Sequence, residues 1–306
     1  MSQSPDITAR SWIMVAILGF VWGGTFMVIE LALEGLTPFW LAAFRIGFGA
    51  LLSCAVWQML GGRLFSAPLT GPDRSSLILI ALLSSAVPFA LISWGQQYVT
   101  SGFTGVSMAS IALMVLPLAH FMVPGERMTW RWVLGFCVGF AGVSLLMGSQ
   151  AFESSGDVRE LPGRLACLAA AACYAVTSIL MRRLPPVDPV GLSAVLLLIG
   201  AFGVIPLAWA IEGPPPLPDQ RTLWLVAFLG MVPTAAANLL RVTVVRTAGP
   251  VFMSLTNYQV PVWSVVLGAA LLGEPLPPAL LWALLLILCG VGVSQYGALR
   301  RLFGRG

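Results

Sequence analysis

The chain has 306 residues, of which 58% are hydrophobic and only 9% are charged. A soluble domain carries about 25% charged residues, so this composition excludes a soluble globular protein. The formal charge of +4 comes from arginine alone, and the arginines are dispersed, which argues against a nucleic-acid partner. Apolar runs of roughly 20 residues, the length that crosses a bilayer, recur along the chain and predict a polytopic α-helical membrane protein.

Ten apolar segments are long enough to be membrane spans, and short loops join them. The segments are 12–33, 38–60, 75–97, 102–122, 130–148, 163–182, 189–211, 222–245, 249–272 and 278–299. We predict a single membrane domain with a first five-helix unit at 1–148, a linker loop at 149–162 and a second five-helix unit at 163–306. The linker is rich in serine, glycine and charge, as surface loops are.

The placement of arginine predicts the orientation, because positive charge is retained on the cytoplasmic side of a membrane. One set of loops would hold Arg10, Arg63, Arg74, Arg127, Arg131, Arg182, Arg183, Arg246, Arg300, Arg301 and Arg305. The opposite set would hold only Arg159, Arg164 and Arg221, together with most of the acidic residues. Both termini are therefore expected to be cytoplasmic, in a protein of the inner or plasma membrane.

The residue types that usually bind metals or cofactors do not have the spacing typical of such sites in this sequence. All five cysteines fall within apolar runs and lack metal-ligand spacing, so we interpret them as small packing residues. A membrane enzyme would need a clustered nucleophile and base, or a set of metal ligands, and the sequence has one histidine. We therefore predict no metal, no cofactor and no enzymatic activity.

The two halves of the sequence resemble each other at a displacement of roughly 145–152 residues. Corresponding segments include Val87-Pro88 and Val232-Pro233, and Gly125-Glu126 and Gly273-Glu274. Because each half holds five spans, an odd number, the second half must enter the membrane inverted relative to the first. Inverted repeats are typical of secondary transporters, whose substrate site lies near the midplane of the bilayer.

Four stretches carry a family resemblance. They are VWGGTFMVIE at 21–30, LTPFWLAAFR at 36–45, FMSLTNYQVPVWSVVLGAALLGEPL at 252–276 and CGVGVS at 289–294. They resemble the drug/metabolite transporter superfamily, specifically its ten-helix EamA-type members, and the resemblance covers essentially the whole chain. It implies two inverted five-helix repeats, no ATPase domain and mostly export of metabolites. Similar YddG-type members export amino acids, aromatic ones included.

The ninth segment contains polar residues that lipid would not accept. Asn257, Tyr258 and Gln259 interrupt an apolar run shortly before Pro261. The proline also leaves the carbonyl of Asn257 without its helical donor. In a regular helix Asn257, Tyr258 and Pro261 would share one face with Ser254. We expect at least one of these side chains to line a substrate cavity.

Three further polar residues are candidates for the substrate site. Ser107 and Ser110 lie at corresponding positions of the fourth segment, and Asn238 follows Pro233 on the eighth. Small polar residues are also common packing contacts between membrane helices, so a structural role for the two serines is the alternative. Asn238 would add an amide group to the cavity.

Aromatic residues inside the spans are candidates for the walls of that cavity. Trp22, with Thr25 beside it, and Tyr174 are repeat counterparts, and Trp263 also lies close to mid-span. Most other tryptophans fall near span ends, where an interfacial belt expects them. Aromatic walls would favour flat or apolar substrates and could hold an ammonium group by a cation–π contact. Packing against neighbouring helices is the alternative.

Two ionisable residues, Glu30 and Arg45, lie in the outer parts of consecutive spans. A lone charge there costs about 2.5–3.5 kcal/mol, so mutual pairing is expected, and a carboxylate-binding or gating role for Arg45 is the alternative. Glu30 is the only deep carboxylate, which favours facilitated export over proton coupling. Glu126 and Glu274 end spans at loop turns and are expected to cap helices or to lie at the interface.

These features predict a secondary transporter that exports small metabolites, above all amino acids with aromatic or apolar side chains, by alternating access. The alternatives are an exporter of another drug or metabolite class with ion coupling, and a passive channel. The sequence lacks the charge ring of an ion-selective pore. The expected partners are a small-molecule substrate and the lipid bilayer, and the protein is expected to be a monomer or a weak homodimer.

Overall fold

The computed structural model describes residues 7–62, 64, 71–122, 129–149, 158–181, 184–185, 187–297 and 300. Several residues that predict the orientation lie outside these ranges, namely Arg63, Arg127, Arg182, Arg183, Arg301 and Arg305. Glu126, for which a capping role is predicted, and most of the predicted linker at 149–162 also lie outside the described residues.

The described residues form α-helices joined by short connections. The α-helices are α1 (Ala9–Leu33), α2 (Pro38–Met59), α3 (Gly71–Ala81), α4 (Val87–Gly95), α5 (Ser101–Met122), α6 (Trp130–Ser149), α7 (Glu160–Met181), α8 (Pro189–Glu212), α9 (Gln220–Leu229), α10 (Ala237–Ala248), α11 (Pro250–Met253), α12 (Thr256–Leu272) and α13 (Pro278–Ser294). Two π-helical segments, Leu82–Ala86 and Gly230–Ala236, join α3 to α4 and α9 to α10. Together these elements cover all ten predicted spans.

The helices have the length and surface of membrane spans. Among the described residues, eight continuous helical stretches of at least 18 residues are apolar enough to cross a bilayer, and α13 is a shorter apolar helix. Large apolar side chains are exposed along them, for example Leu51 at 70%, Phe202 at 79% and Leu285 at 51%. Such a surface suits lipid and not water. The predicted class, an all-α polytopic membrane protein, is confirmed.

Loop residues set the ends of several helices. Pro38 and Pro189 occupy the first turns of α2 and α8, where the missing proline N–H has no helical partner to lose. The Asp219 carboxylate caps α9 by accepting a hydrogen bond from the backbone N–H of Thr222 at 3.0 Å. Hydrogen bonds with Thr222 hold the pKa of Asp219 below its ordinary value. Gly273, with a φ of 67°, ends α12 in the left-handed conformation that favours glycine.

Both π-helical segments lie at a proline of the internal repeat. Leu82–Ala86 immediately precedes Val87-Pro88, and Gly230–Ala236 contains Val232-Pro233. A proline has no N–H to donate, so the helix around it must either widen or satisfy the freed carbonyl in another way. The same irregularity at corresponding points of the two halves agrees with the predicted repeat, and π-helical turns are frequent at functional sites.

The helices form two compact units, which we call unit 1 and unit 2. Unit 1 contains α1 up to Met27, α5, α6 and the chain from Leu239 through α13. Unit 2 contains the chain from Val28 to Val99 and from α7 to Asn238. Each unit combines helices from both halves of the sequence. Each predicted half therefore contributes helices to both compact units.

Unit 1 contains two close helix pairs, α6 with α13 and α5 with α12. Glycines bring the first pair into backbone contact. A Cβ added to Gly290 would lie 2.5 Å from the carbonyl oxygen of Gly135 and 2.5 Å from the backbone nitrogen of Gly139. Small residues of this kind allow close approach of membrane helices, whose association depends on packing.

Unit 2 is organised around α2, which packs against α8 and against the π-helical segment Gly230–Ala236. A Cβ added to Gly230 would lie 2.6 Å from the carbonyl oxygen of Arg45. The glycine therefore lets the backbone of α2 lie directly against the π-helical segment. In the same unit α4 packs against α7, where a Cβ on Gly95 would lie 2.8 Å from the carbonyl oxygen of Gly163.

Two carboxylates cap helices that are distant in sequence. In unit 1 the Glu274 carboxylate accepts hydrogen bonds from the backbone N–H groups of Ser101 at 2.8 Å and Gly102 at 3.0 Å, at the start of α5. In unit 2 the Glu212 carboxylate accepts two backbone N–H bonds in the first turn of α2, at 3.1 and 3.0 Å. A carboxylate at a helix N-terminus satisfies orphan donors and complements the helix dipole. The capping role predicted for Glu274 is confirmed.

We expect Glu274→Gln to lower the free energy of unfolding by about 1 kcal/mol, because one acceptor and the charge at the helix terminus are lost. The midpoint of thermal unfolding in detergent measures the effect. Glu34→Gln is the control, since Glu34 pairs with Arg221 at 2.9 Å between side chains that are 58% and 62% exposed. Exposed pairs contribute little. Equal shifts for both variants would contradict the capping assignment.

Candidate functional site

The helix of the ninth predicted span is interrupted at Ser254 and Leu255. α11 ends at Met253 and α12 begins at Thr256. The backbone N–H of Asn257 donates to the carbonyl of Ser254 at 3.0 Å, a three-residue bond that tightens the chain locally. The single regular helix face predicted for this span is thus broken between its first member, Ser254, and the rest.

The first turn of α12 presents polar side chains whose hydrogen-bonding capacity is not used. The hydroxyl of Tyr258 is enclosed by protein and has no hydrogen-bond partner among the residues that the structure describes. Asn257 is exposed and Gln259 is half-buried, and neither amide bonds to a side chain or backbone group among the described residues. Buried polar groups without partners are rare in native proteins, so each requires an explanation.

Two glycines of α1 hold α12 in place within unit 1. A Cβ on Gly23 would lie 2.4 Å from the Cβ of Trp263, and one on Gly19 would lie 2.6 Å from the side-chain oxygen of Gln259. The ring of Trp263 makes an edge contact with Phe20, with the ring centroids 5.3 Å apart. Two predicted site residues of α12, Gln259 and Trp263, therefore lie directly against α1.

Trp22 and Thr25 occupy the same part of α1. The Trp22 side chain is half-buried, whereas Thr25 is 4% exposed. The Thr25 hydroxyl donates to the backbone carbonyl of Val21 at 2.9 Å. Its proton is therefore used within its own helix, and Trp22 is the member of this pair with side-chain surface left for a ligand.

Ser107 and Ser110 are placed for packing. Both are at most 1% exposed. The Ser107 hydroxyl donates to the carbonyl of Phe103 at 3.0 Å, and the Ser110 hydroxyl donates to the carbonyl of Ser107 at 2.6 Å. Hydroxyls that bond to their own helix are an ordinary structural feature of such segments. The geometry favours the packing alternative for these two residues.

Unit 2 brings a second set of predicted residues together around Thr234. The side-chain nitrogen of Asn238 donates to the Thr234 carbonyl at 2.7 Å, and the Nε of Arg45 donates to the Thr234 hydroxyl oxygen at 3.0 Å. Tyr174 is half-buried and lies close enough to Arg45 for an electrostatic interaction. Thr177, one turn further along α7, has a buried hydroxyl without a hydrogen-bond partner in the described part of the chain.

Glu30 and Arg45 each make contacts with other side chains. Gln96 donates from its side-chain nitrogen to Glu30 Oε2 at 3.4 Å. The Arg45 guanidinium lies over the ring of Phe89, 3.9 Å from its centroid, in addition to its bond with Thr234. Among the described residues no ion pair joins these two side chains, so the predicted pairing of Glu30 with Arg45 is not observed.

Sequence reasoning missed Thr234, although a local signal was present. Pro233 lacks an N–H, and in a helix that N–H would have bonded the carbonyl of Leu229, four residues earlier. The Thr234 hydroxyl donates to this carbonyl at 2.8 Å, and so supplies it with a side-chain donor. A threonine that follows a mid-span proline is the pattern that could have identified it.

Apolar helices of membrane-spanning length, with polar side chains inside two compact units, define the class, a polytopic membrane transporter. The chain belongs to the EamA-like transporter family. The model of that family matches it twice, over residues 10–148 and 161–295. The two matches show that the chain carries two copies of one family unit.

Similar proteins are themselves transporters by name. The chain is 22% identical to the uncharacterized transporter YoaV of Bacillus subtilis, over 94% of this chain and 98% of that protein. It is 27% identical to the uncharacterized inner membrane transporter YedA of Escherichia coli K12, over 85% and 82%. It is 25% identical to the probable terminal-alkyne amino-acid exporter of Streptantibioticus cattleyicolor, over 96% and 94%.

The fold itself has been seen before. A crystal structure with 23% sequence identity superimposes with a TM-score of 0.67, covering 97% of this chain and 100% of that one. At this identity the likeness shows the fold alone. The family and the relatives together make this protein an integral membrane transporter.

Proposed function

We propose that this transporter exports small metabolites, amino acids above all, by alternating access to a site within its spans. The observation that carries the proposal is the start of α12, where Asn257, Tyr258 and Gln259 stand in sequence inside an apolar segment. A transported molecule with an amine, a hydroxyl or a carboxylate would supply the partners that these side chains lack.

Lipid cannot satisfy these groups. A polar group without a hydrogen bond in hydrocarbon costs roughly several kcal/mol. Asn257 is exposed although it lies inside the predicted span 249–272, so its amide faces either lipid or water. Water is the far less costly neighbour. A water-filled route at this depth is what a transporter needs, and the carbonyl freed by Pro261 would add an acceptor to it.

Each unit also carries aromatic side chains suited to a substrate that is flat or apolar. In unit 1 Trp22 and Trp263 are half-buried, and in unit 2 Tyr174 is half-buried. A half-buried aromatic side chain keeps part of its face for a ligand, and it can attract an ammonium group through the ring quadrupole. Aromatic and apolar amino acids combine both features.

A relative supports this substrate class. The Streptantibioticus cattleyicolor protein is named a probable terminal-alkyne amino-acid exporter and aligns over 96% of this chain. We take amino acids as the first class to test for that reason. Because Glu30 is the only deep carboxylate of the sequence, we also propose facilitated export without proton coupling, with both termini in the cytoplasm.

Uptake of radiolabelled amino acids into proteoliposomes tests the proposal. We expect saturable flux of aromatic or apolar amino acids, and a reduction of roughly tenfold in Asn257→Ala, the equivalent of about 1.4 kcal/mol. Val262→Ala is the control, since Val262 lies on the same helix, is 39% exposed and carries no polar group. It should retain the wild-type flux.

The outcomes separate the alternatives. Flux that persists without an imposed ion gradient supports a facilitator, whereas flux that requires one shows coupling. Flux that never saturates, accompanied by single-channel conductance, indicates a passive channel. Absence of flux for every amino acid would reject the proposed substrate class, and equal activity of Asn257→Ala and Val262→Ala would reject the role of the α12 amide.

A further inference from the structure

Arg45 is a buried cation whose donors are mostly unused. It lies in α2 and is 7% exposed. A guanidinium has five N–H donors, and the Nε of Arg45 uses one of them on the Thr234 hydroxyl oxygen. Its terminal nitrogens form no hydrogen bond with the residues that the structure describes, and no carboxylate among those residues pairs with it.

The surroundings of Arg45 stabilise its position without neutralising its charge. The Phe89 ring lies 3.9 Å from the guanidinium carbon, and a ring face attracts a cation only weakly. Tyr174 lies close enough to Arg45 for an electrostatic interaction. Neither group replaces the anion that a buried arginine ordinarily requires.

The geometry also holds Arg45 rigidly. The Thr234 hydroxyl donates its proton to the Leu229 carbonyl, which leaves its oxygen lone pairs to accept the N–H of Arg45. The backbone of Arg45 lies against Gly230, where a side chain could not be accommodated. An arginine fixed at its Nε end, with its terminal nitrogens unoccupied, is preorganised for bidentate binding of a carboxylate.

We infer that Arg45 binds the carboxylate of the transported molecule, with Thr234 as the residue that positions it. The inference rests on the proposed export of amino acids, and deepens it. It predicts that the carboxylate is required for tight binding, so that the amine formed by removing that carboxylate should bind much more weakly to the wild-type protein. It applies equally to another organic carboxylate if amino acids are not the cargo.

Thermal unfolding of the purified transporter tests the inference independently of flux. Phenylalanine, phenylpropionate and phenethylamine share an aromatic ring and differ in the carboxylate and the amine. We expect the two carboxylates to raise the Tm of the wild type more than phenethylamine does. In Arg45→Gln this preference should be lost, with the apparent affinity for carboxylates reduced at least about tenfold, as for removal of a bidentate charged contact.

Two further variants keep the test decisive if Arg45→Gln does not fold. Arg45→Lys retains the positive charge but loses the planar guanidinium that binds a carboxylate through two N–H groups. Thr234→Val removes the hydroxyl that accepts the N–H of Arg45 Nε. Both variants should weaken carboxylate binding and leave phenethylamine binding unaffected. The inference is overturned if no carboxylate stabilises the wild type, or if the variants respond to the carboxylates as the wild type does. Carboxylate binding without amino-acid flux would instead reject only the proposed substrate, and flux unaffected in Arg45→Lys and Thr234→Val would reject only the role of Arg45.

Discussion

Gly290→Ala is expected to prevent stable folding, or to lower the Tm more than any other single substitution considered for this protein. The added Cβ would lie 2.5 Å from the carbonyl oxygen of Gly135 and 2.6 Å from the Cα of Gly139. Each of these atoms belongs to the backbone of α6, so no side-chain rotation can relieve the overlap. Overpacking typically costs about 1–3 kcal/mol, and this contact should lie at or above the upper end of that range.

Gly292→Ala is the matched control because it makes the same chemical change two residues later in α13. A Cβ at Gly292 would meet nothing within 4 Å. Alanine favours a helix over glycine by up to about 1 kcal/mol, so this variant should unfold at the same temperature as the wild type or slightly higher. Size-exclusion profiles and Tm values in detergent distinguish the two. Similar behaviour of both variants would show that α6 and α13 are not in backbone contact.

Hydropathy predicted the spans well because it reports a property of whole segments. Each helix of about 20 apolar residues must satisfy its backbone internally, which leaves little choice of structure. The interruption at Ser254 was not predicted, since a polar residue in an apolar run can face a neighbouring helix or mark a broken turn. The π-helical segments were not predicted either, although Pro88, next to the first, and Pro233, inside the second, belong to the predicted repeat.

Whether the role of a candidate site residue could be predicted depends on how distant in sequence its contacting residues are. For Ser107 and Ser110 the sequence left packing and binding open, and the decisive contact is with a carbonyl of the same helix. For Arg45 the expected partner was Glu30, a carboxylate on the preceding span, whereas the contacts in the structure are with Thr234 and Phe89. Such partners are about 190 and 45 residues away, and single-sequence patterns do not indicate which distant helices meet.

The repeat explains why each compact unit takes helices from both halves. Corresponding helices, such as α5 and α12, pack against each other within unit 1. Because α5 and α12 come from different halves of the sequence, their packing brings helices of both halves into unit 1. The sequence revealed the two copies by their common spacing, but the exchange of helices between them depends on tertiary contacts that spacing does not encode.

Tyr258→Phe is expected to have opposite effects on stability and on transport. The Tyr258 hydroxyl is enclosed without a hydrogen-bond partner among the described residues, and such a group costs about 1–3 kcal/mol. Its removal should therefore raise the Tm of the substrate-free protein. If the hydroxyl bonds the substrate during transport, the same change should reduce flux by roughly tenfold, which corresponds to about 1.4 kcal/mol. A destabilising group that persists because it binds a ligand is a common property of functional sites.

Tyr296→Phe provides the comparison that makes this result interpretable. Tyr296 is 48% exposed, and its ring lies 5.0 Å from the guanidinium carbon of Arg131. Its hydroxyl can bond to water, so its loss should change neither Tm nor flux. Raised stability with unchanged flux in Tyr258→Phe would mean that the hydroxyl is only a packing defect. Lowered stability would mean that it has a structural partner, and in either case the start of α12 would lose its strongest claim to contact the substrate.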